Sequence, residues 1–394
     1  MISTLSPRLE ELGAVPPLHV DFVRLAALVF FADRTVPRPR GWLRQLDLDI
    51  AVSDPDRWSG RAETLAALLN ALTGDVWQLR FSRRREPTAG TRAEAPDASR
   101  VVLFSGGADS ASGALISDHD GSTPLLVSHH DWPAIRGQQN RVLDAFAASG
   151  VQRPEDISWR LARQSDQVGS GAQFGEEPSR RSRSIVFLAL GLAVGSVHDA
   201  ELWMAENGFT SLNAPLAGER RGALSTRTTH PAILDGFAEV LSSLGLHVDL
   251  VNPFETMTKG EVFSRVKAAI GDEAASAILS ATNSCAKPQR LKGFAPDAQC
   301  GVCMGCLVRR GAFIASELED RTTYMEVALQ GQARRDQWLS PTRRETYEAL
   351  RYRLVRGYDI DDVLDLGLPE RIDLDNALAL MTRGLSELER VAIP

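Results

Sequence analysis

The sequence lacks long apolar runs, an excess of basic residues and cysteines outside one short window. Its longest apolar runs, residues 25–31 and 185–197, fall short of the ~20 residues of a bilayer-spanning helix, so we expect no membrane partner. The 44 basic and 51 acidic residues give a net charge of −7, which argues against general nucleic-acid binding. Glu10 and Glu11 stand where a signal peptide would be apolar, so we expect a cytoplasmic protein.

The strongest chemical signal lies in residues 101–112, which read Val-Val-Leu-Phe-Ser-Gly-Gly-Ala-Asp-Ser-Ala-Ser. An apolar run breaks into a glycine pair after Ser105 and then resumes at helical spacing. Glycine pairs let backbone amides approach an anion, and the N-terminus of the next helix favours the same anion. We therefore predict a strand, a phosphate-binding loop and a helix, with Asp109 and Ser110 near the anion. No Lys follows the glycines, so this is not a Walker A loop, and an ordinary glycine-rich turn is the alternative.

The four cysteines follow the spacing C-x14-C-x2-C-x2-C, which is typical of a zinc site. Spacings of two residues wrap the backbone round one ion, and Gly301 and Gly305 permit the tight turns. A reducing cytoplasm and the compressed spacing argue against two disulfides, while a redox or iron–sulfur role stays open. If zinc takes all four thiolates, no thiol remains for sulfur transfer. The predicted ligands are Cys285, Cys300, Cys303 and Cys306.

The pattern Ser-Gly-Gly-x-Asp-Ser after an apolar strand resembles the PP-loop of the ATP pyrophosphatase superfamily. The resemblance implies cleavage of ATP to AMP and pyrophosphate, which activates a carbonyl or carboxylate group. It also implies the adenine nucleotide α-hydrolase-like (HUP) fold, with ATP as substrate and Mg²⁺ as its companion ion.

Further segments are similar to the 7-cyano-7-deazaguanine synthase (QueC) family. Residues 178–190 resemble its Pro-Gly-Arg-Asn segment, and residues 253–261 resemble its Pro-Leu-x-x-x-(Ser/Thr)-Lys-x-Glu segment. The cysteines together with Arg309 resemble its zinc motif, so the likeness covers roughly residues 100–315. The resemblance implies adenylation of a 7-carboxy-7-deazaguanine and its conversion to a nitrile with ammonia.

Three departures separate the chain from the short synthases of that family. Residues 206–216 and 222–231 replace the Tyr-Pro-Asp-Cys-Arg-type substrate loop, the first cysteine gap is longer, and about 100 residues precede the PP-loop. This layout resembles the QueC-like proteins of anti-phage defence systems, of the QatC type or accompanying cyclic-oligonucleotide signalling operons. The resemblance implies a different acceptor amine, including one on a protein, and a defence-system partner.

The candidate site residues take their roles from this resemblance and from their chemistry. Adenylyl transfer needs charge neutralisation, so Lys259 and Arg183 are the favoured cations, with a solvated surface position as the alternative for each. Asp109 is a candidate Mg²⁺ ligand. Backbone groups near His129, at the end of the second strand, are assigned to the adenine, while a histidine beside a strand end is more often structural than catalytic. The ATP phosphates are assigned to Ser105, Gly106, Gly107, Asp109 and Ser110, and the acceptor side to Glu206, Asn207, Arg227 and His230.

Short apolar runs alternate with helical patterns after residue 101, which predicts an α/β fold with a parallel sheet and helices on both faces. Residues 164–184 contain three glycines and are a candidate lid. The predicted strands of this sheet are 101–104, 124–128, 157–161, 201–205 and 247–250. We expect a small N-terminal α/β domain at 1–82, a linker at 83–100, a PP-loop domain at 101–283, a zinc segment at 284–315 and a helical tail at 316–394.

Three functions follow from these patterns and differ in class. The first is ATP-dependent adenylation of a deazapurine carboxylate and its capture by an amine, giving an amide or a nitrile. The second is a nucleotide-binding subunit of a defence assembly that does not turn over. The third is RNA thiolation, which requires a free reactive cysteine.

Overall fold

A computed structural model gives an α/β fold and describes residues 15–39, 43–84, 97–161, 175–177, 179, 181–214, 227–285, 295, 297–325 and 341–391. Within these residues the strands are β1 (Gln45–Val52), β2 (Val76–Arg83), β3 (Arg100–Leu103), β4 (Pro124–His130), β5 (Glu155–Arg160), β6 (Glu201–Trp203) and β7 (Leu250–Val251). The helices up to β7 are α1 (Pro17–Thr35), α2 (Pro55–Ser59), α3 (Ala62–Thr73), α4 (Ala108–His119), α5 (Pro133–Ala148), α6 (Arg183–His198), α7 (Gly208–Ser211) and α8 (Pro231–Ser243). The helices after β7 are α9 (Lys259–Ile270), α10 (Asp272–Ala281), α11 (Met304–Ser316), α12 (Pro341–Arg356), α13 (Ile360–Leu364) and α14 (Leu374–Glu389).

The central sheet has five parallel strands in the order β5-β4-β3-β6-β7. Val102 of β3 aligns with Leu126 on one side and with Trp203 on the other. The parallel sheet predicted from the apolar runs is therefore confirmed. The last two strands are shorter than predicted, because only two residues of β7 pair with β6 before the chain turns away.

Both faces of this sheet are buried, which explains the uninterrupted apolar character of β3. Val101 and Leu103 belong to a core that also contains α6, whereas Val102 and Phe104 belong to a second core with α4 and α5. Successive strand residues point to opposite faces, so a strand covered on both sides must be apolar at every position. The predicted helical layers on both faces are thus present.

The N-terminal region has its own small α/β arrangement. β1 and β2 pair in parallel over their whole length, from Gln45 opposite Val76 to Val52 opposite Arg83, and α2 and α3 connect them. α1 packs on α6 and on β1, so the apolar core of this region is continuous with one face of the central sheet. The described part of this region therefore contains the strands and helices of the small α/β unit expected from the sequence.

A buried ionic cluster joins this N-terminal region to the chain segment before α6. The Asp33 carboxylate is fully buried and pairs with Arg44 at 2.6 Å. Its other oxygen accepts hydrogen bonds from the hydroxyls of Ser179 at 2.8 Å and Ser182 at 2.7 Å. A charge without water must find such partners. Asp33 therefore fixes the residues that lead into α6.

The described part of the C-terminal region contains the three helices α12, α13 and α14. Asp359 caps α13 and Asp373 caps α14 through hydrogen bonds from backbone amides. Residues 85–96 of the predicted linker and residues 164–174, 178 and 180 of the predicted lid lie outside the described residues. Every helix that the structure describes is too short or too polar to cross a membrane.

Candidate functional site

A cavity of about 330 Å³ opens beyond the carboxyl ends of β3 and β6. These two strands lie where the strand order reverses, since the chain runs outward from β3 through β4 to β5 and then returns to β6 on the other side. Ligands of open parallel sheets bind in the crevice at this point. The cavity is lined by Leu103, Ser105, Gly107, Ala108, Asp109, Ser110, Ser184, Phe187, Met204, Ala205, Glu206, Thr210, Thr229, Lys259, Asn283, Ser284, Gly305 and Val308.

The glycine-rich loop connects β3 to α4 at the cavity wall. Gly106 has a φ of +79°, a conformation that side chains disfavour and glycine tolerates. The Ser110 hydroxyl donates to the carbonyl of Gly107 at 3.0 Å and accepts from the amide of Ser105 at 3.2 Å, which closes the loop onto the first turn of α4. The first amides of a helix have no acceptor within the helix, and Ala108 lines the cavity at that position. The loop can therefore present backbone donors to an anion.

A buried ion pair lies beside the loop. The Lys259 ammonium, at the start of α9, binds the Asp109 carboxylate of α4. The other oxygen of Asp109 accepts a hydrogen bond from the Asn207 side-chain amide at 3.2 Å. Lys259 is 6% exposed and Asp109 is 8% exposed, so the pair lies in a region of low dielectric constant. Residues from three distant segments thus converge on one charged cluster.

Glu206 adds a second carboxylate to this cluster. Its Oε1 accepts a hydrogen bond from the Thr210 hydroxyl at 2.8 Å, and Asn207 Nδ2 lies 3.5 Å from the same oxygen. Burial, and then the negative charge of Asp109, raise the pKa of Glu206 to about 8. At neutral pH the Glu206 carboxyl group is therefore largely protonated and adds little negative charge to the cluster.

His129 lies at the end of β4 and is fully buried beside the site rather than on its wall. Its ring contacts Phe30 of α1 and Phe187 of α6 edge to face, with centroid separations of 5.1 and 5.6 Å. Burial, followed by the charge of Arg183, holds the pKa of His129 well below its usual value. The imidazole is therefore neutral and packs between two aromatic rings.

Three further predicted site residues lie outside the cavity lining: Arg227 and His230 of the acceptor side, and the second cation Arg183. The guanidinium of Arg183, the first residue of α6, lies 5.1 Å from the ring centre of Phe187. The Nδ1 atom of His230 accepts from the amide of Ala232 and so caps α8. Burial, and then the charge of Arg227, lower the pKa of His230 to about 4. The neutral form that can cap a helix is thus the one favoured here.

The four cysteine thiols meet at one point, with all four Sγ atoms within 4.8 Å of one another. The separations are 3.8 Å between Cys300 and Cys306, 4.0 Å between Cys303 and Cys285, and 3.5 Å between Cys303 and Cys306. Four thiolates at about 2.3 Å from a tetrahedral Zn²⁺ lie about 3.8 Å apart, so the arrangement fits a structural zinc ion. The distances are too long for disulfides, and the cysteines are free.

The cysteine cluster is attached directly to the glycine-rich loop. The amide of Asn283 donates to the carbonyl of Gly106 at 3.3 Å, and the Asn283 side-chain oxygen accepts from the amide of Cys285 at 2.8 Å. Asn283 therefore links the first cysteine to the loop within two hydrogen bonds. After α11 the chain returns to the cluster, where the amide of Met325 donates to the Gln299 carbonyl at 2.9 Å.

Sequence reasoning missed several cavity residues. Asn283 and Ser284 could have been found, because they immediately precede the first cysteine of the metal motif. Thr210 follows Asn207 by three residues, the spacing of an N-cap contact, and the amide of Thr210 does donate to the Asn207 side chain. Thr229 and Val308 carry no local signal and reach the cavity only through the tertiary fold.

Comparison of the chain with protein-family models, with curated proteins and with solved structures gave no significant match. What can be said of the site therefore comes from its own residues and geometry. A glycine-rich loop and a buried lysine–aspartate pair line one cavity, and Ser284 and Gly305 bring the segment of the four-cysteine cluster to its wall.

Proposed function

We propose that this chain is an ATP-dependent adenylating enzyme that activates a carboxylate of the 7-carboxy-7-deazaguanine class and transfers it to an amine. One observation carries the proposal: a single cavity is lined by the glycine-rich loop, the first turn of α4 and the Lys259–Asp109 pair. Backbone amides, a helix N-terminus and a lysine are the groups that hold and neutralise phosphates. The resemblance of residues 101–112 to a PP-loop supplies the reaction class.

In the proposed reaction a carboxylate oxygen attacks the α-phosphorus of ATP, and the bond to the bridging oxygen breaks with release of pyrophosphate. The amides of the glycine-rich loop hold the departing phosphates, and Lys259 neutralises charge on the nonbridging oxygens. An amine then attacks the carbonyl carbon of the acyl-adenylate, loses a proton, and expels AMP to give an amide. With ammonia the first product is a primary amide. Attack of its oxygen on the α-phosphorus of a second ATP would release pyrophosphate, and loss of two protons and AMP from the adenylated amide would then give the nitrile.

Two ions accompany this proposal. Mg²⁺ would neutralise the ATP phosphates; it usually binds to one or two carboxylates together with substrate phosphates, and Asp109 is the residue placed to contribute one. In the described residues the cysteine cluster is the only group of three or more suitable side chains that could hold a metal by itself. Zn²⁺ on the four cysteines would hold the segment that bears Asn283 and so support the loop.

Glu206 and the apolar wall favour a flat, uncharged ring next to the phosphates. A protonated Glu206 does not repel an anionic substrate, and its carboxyl group can both donate and accept hydrogen bonds. Phe187, Met204 and Val308 provide apolar surface in the same cavity. This combination suits a heterocycle that carries a carboxylate, which is the chemistry expected of a deazapurine acid.

The test is release of pyrophosphate from magnesium ATP with and without 7-carboxy-7-deazaguanine. We expect release only with the acid, and an acyl-adenylate detectable by mass spectrometry when amines are omitted. Lys259→Ala should lower the rate at least 100-fold, whereas the control Lys267→Ala, on the same helix but outside the cavity lining, should stay within threefold of the wild type. A folded wild type that binds magnesium ATP and releases no pyrophosphate under either condition would contradict the proposal and indicate a nucleotide-binding subunit.

RNA thiolation is the proposal's competitor within the same superfamily. It needs a thiol that can carry a persulfide, but all four thiols lie in one cluster. One zinc ion per chain with all four thiols protected from alkylation would exclude that reaction.

A further inference from the structure

Glu387, near the end of the C-terminal helix α14, is a buried carboxylate that the proposed reaction does not use. It is 9% exposed, and burial raises its pKa. Its two oxygens accept the amide of Gly260 at 3.1 Å each, and one of them also accepts the hydroxyl of Thr258. All of these donors belong to the start of α9.

The two residues that Glu387 binds flank Lys259 on either side in the sequence. Thr258 is the N-cap of α9, Lys259 its first residue and Gly260 its second. The helix already has a complete capping box between Thr258 and Glu261, so Glu387 is a second carboxylate on the same turn. A negative charge at a helix N-terminus is also favoured by the helix dipole. The capping box takes up the amides of Thr258 and Glu261, and Glu387 accepts the amide of Gly260, so the backbone on both sides of Lys259 is held by hydrogen bonds.

The packing around Glu387 leaves no room for displacement. A side chain at Gly260 would overlap the Glu387 carboxylate and the Cβ of Ala315, and one at Gly311 of α11 would lie 2.7 Å from the Glu387 carbonyl oxygen. α14 thus lies against the backbones of α9 and α11 at once. α11 starts within the cysteine motif, and α9 starts at Lys259. The C-terminal helix α14 therefore packs on the helix that follows the cysteine cluster and on the helix that bears the lysine of the ion pair.

We infer that Glu387 is a positioning residue for Lys259, which it acts on by fixing the backbone on both sides of the lysine and so setting where the ammonium meets Asp109 and the phosphates. The inference rests on the proposed function, because it assigns Lys259 to the ATP phosphates. A shift of about 1 Å in a charge-neutralising group is enough to cost on the order of 100-fold in rate. The C-terminal helices are then part of the catalytic apparatus rather than an appendage.

The first experiment separates turnover from binding. Glu387→Ala should lower kcat for pyrophosphate release by tenfold or more and change KM for ATP less than threefold, because the glycine-rich loop is untouched. Glu387→Gln keeps one acceptor oxygen and should recover part of kcat. The matched control Glu389→Gln lies two residues away on an exposed position and should behave as the wild type. A kcat for Glu387→Ala within twofold of the wild type, or one that falls only in proportion to the folded fraction, overturns the inference.

The second experiment does not depend on activity and is read on the ligand-free chain. Hydrogen exchange at the Gly260 amide and mass-mapped acylation of the Lys259 amine should both be at least fivefold faster in Glu387→Gln than in the wild type and in Glu389→Gln. Lys267 serves as the internal reference for the reagent. If Glu387→Ala does not fold, the Gln variant alone decides. Unchanged exchange and acylation overturn the inference, whereas a wild type without pyrophosphate release refutes the proposed function and leaves these two readouts intact.

Discussion

The protonation of Glu206 gives the sharpest test of the electrostatics of the site. Burial and the neighbouring Asp109 raise the pKa of Glu206 from its ordinary 4.5 to about 8. Glu206→Gln replaces the carboxyl group by an amide of almost the same shape that cannot ionise. The amide oxygen can still accept the hydrogen bond from Thr210. The substitution therefore removes a titration and little else.

The expected size follows from the two pKa values. Between pH 4.5 and about 8 the unfolded chain has released the Glu206 proton while the folded chain keeps it. The free energy of unfolding of the wild type then falls as pH rises, by about 1.4 kcal/mol per pH unit from this group. Over the whole window this contribution amounts to on the order of 5 kcal/mol. Glu206→Gln lacks this pH-dependent contribution. The free energy of unfolding of the variant minus that of the wild type should therefore increase from pH 4.5 to about 8 and stay constant above that pH.

The assay is urea unfolding of both proteins at several pH values from 4.5 to 9, in buffer free of nucleotide and magnesium. In the difference between the two free energies of unfolding, the contributions of all titrating groups that the substitution does not affect cancel. Glu389→Gln, exposed on α14, should follow the wild type at every pH. A difference between Glu206→Gln and the wild type that does not change with pH would contradict this prediction, because Glu206 would then ionise in the folded chain as it does in the unfolded chain.

Three further predictions concern the supports of the site. Cys303→Ser should abolish binding of one zinc ion per chain, measured with a chromogenic chelator, and lower the free energy of unfolding by several kcal/mol. Asp33→Ala removes one of the two carboxylates that bind the buried Arg44, which keeps Asp75, and leaves the hydroxyls of Ser179 and Ser182 without this acceptor. It should cost about 1–3 kcal/mol in urea unfolding, while the exposed Asp47→Ala stays within about 0.5 kcal/mol. Gly208→Ala places a methyl group on the carbonyl oxygen of Glu255 and should cost about 1–3 kcal/mol, and an unchanged melting temperature would contradict the close approach.

The sheet could be predicted from the sequence because its signals are local. Short apolar runs, as in residues 101–104 and 125–127, mark strands that are buried on both faces. Strand ends were less predictable: β7 begins at Leu250 although the apolar pattern favours residues 247–250. Its length is set by pairing with the three-residue β6, which is a tertiary constraint that the local pattern does not contain.

The candidate site was predictable only where chemistry and local geometry coincide. The glycine-rich loop and the cysteine motif have fixed spacings, so their residues could be named in advance. His230 shows the opposite case, because its position before Pro231 suits an N-cap as well as a ligand, and the structure places it as the cap of α8. Contacts such as Asp33 with Ser182 join residues 149 positions apart and leave no trace in either local sequence.

The three long-range supports share one physical design. Asp33 binds the segment before α6, Asn283 binds the glycine-rich loop, and Glu387 binds the start of α9. In each case a backbone hydrogen bond is made to a segment that lines the cavity or leads into it: the amide of Ser182 donates to Asp33, the amide of Asn283 donates to the Gly106 carbonyl, and the amide of Gly260 donates to Glu387. Contacts to the backbone fix the position of a segment without placing another side chain in the cavity. The side chains that line the cavity can therefore differ while these supporting contacts are kept. The N-terminal region, the cysteine segment and the C-terminal helices therefore each hold part of the cavity wall in position. A substitution in any of these three supports should shift the lining residues without changing which residues line the cavity.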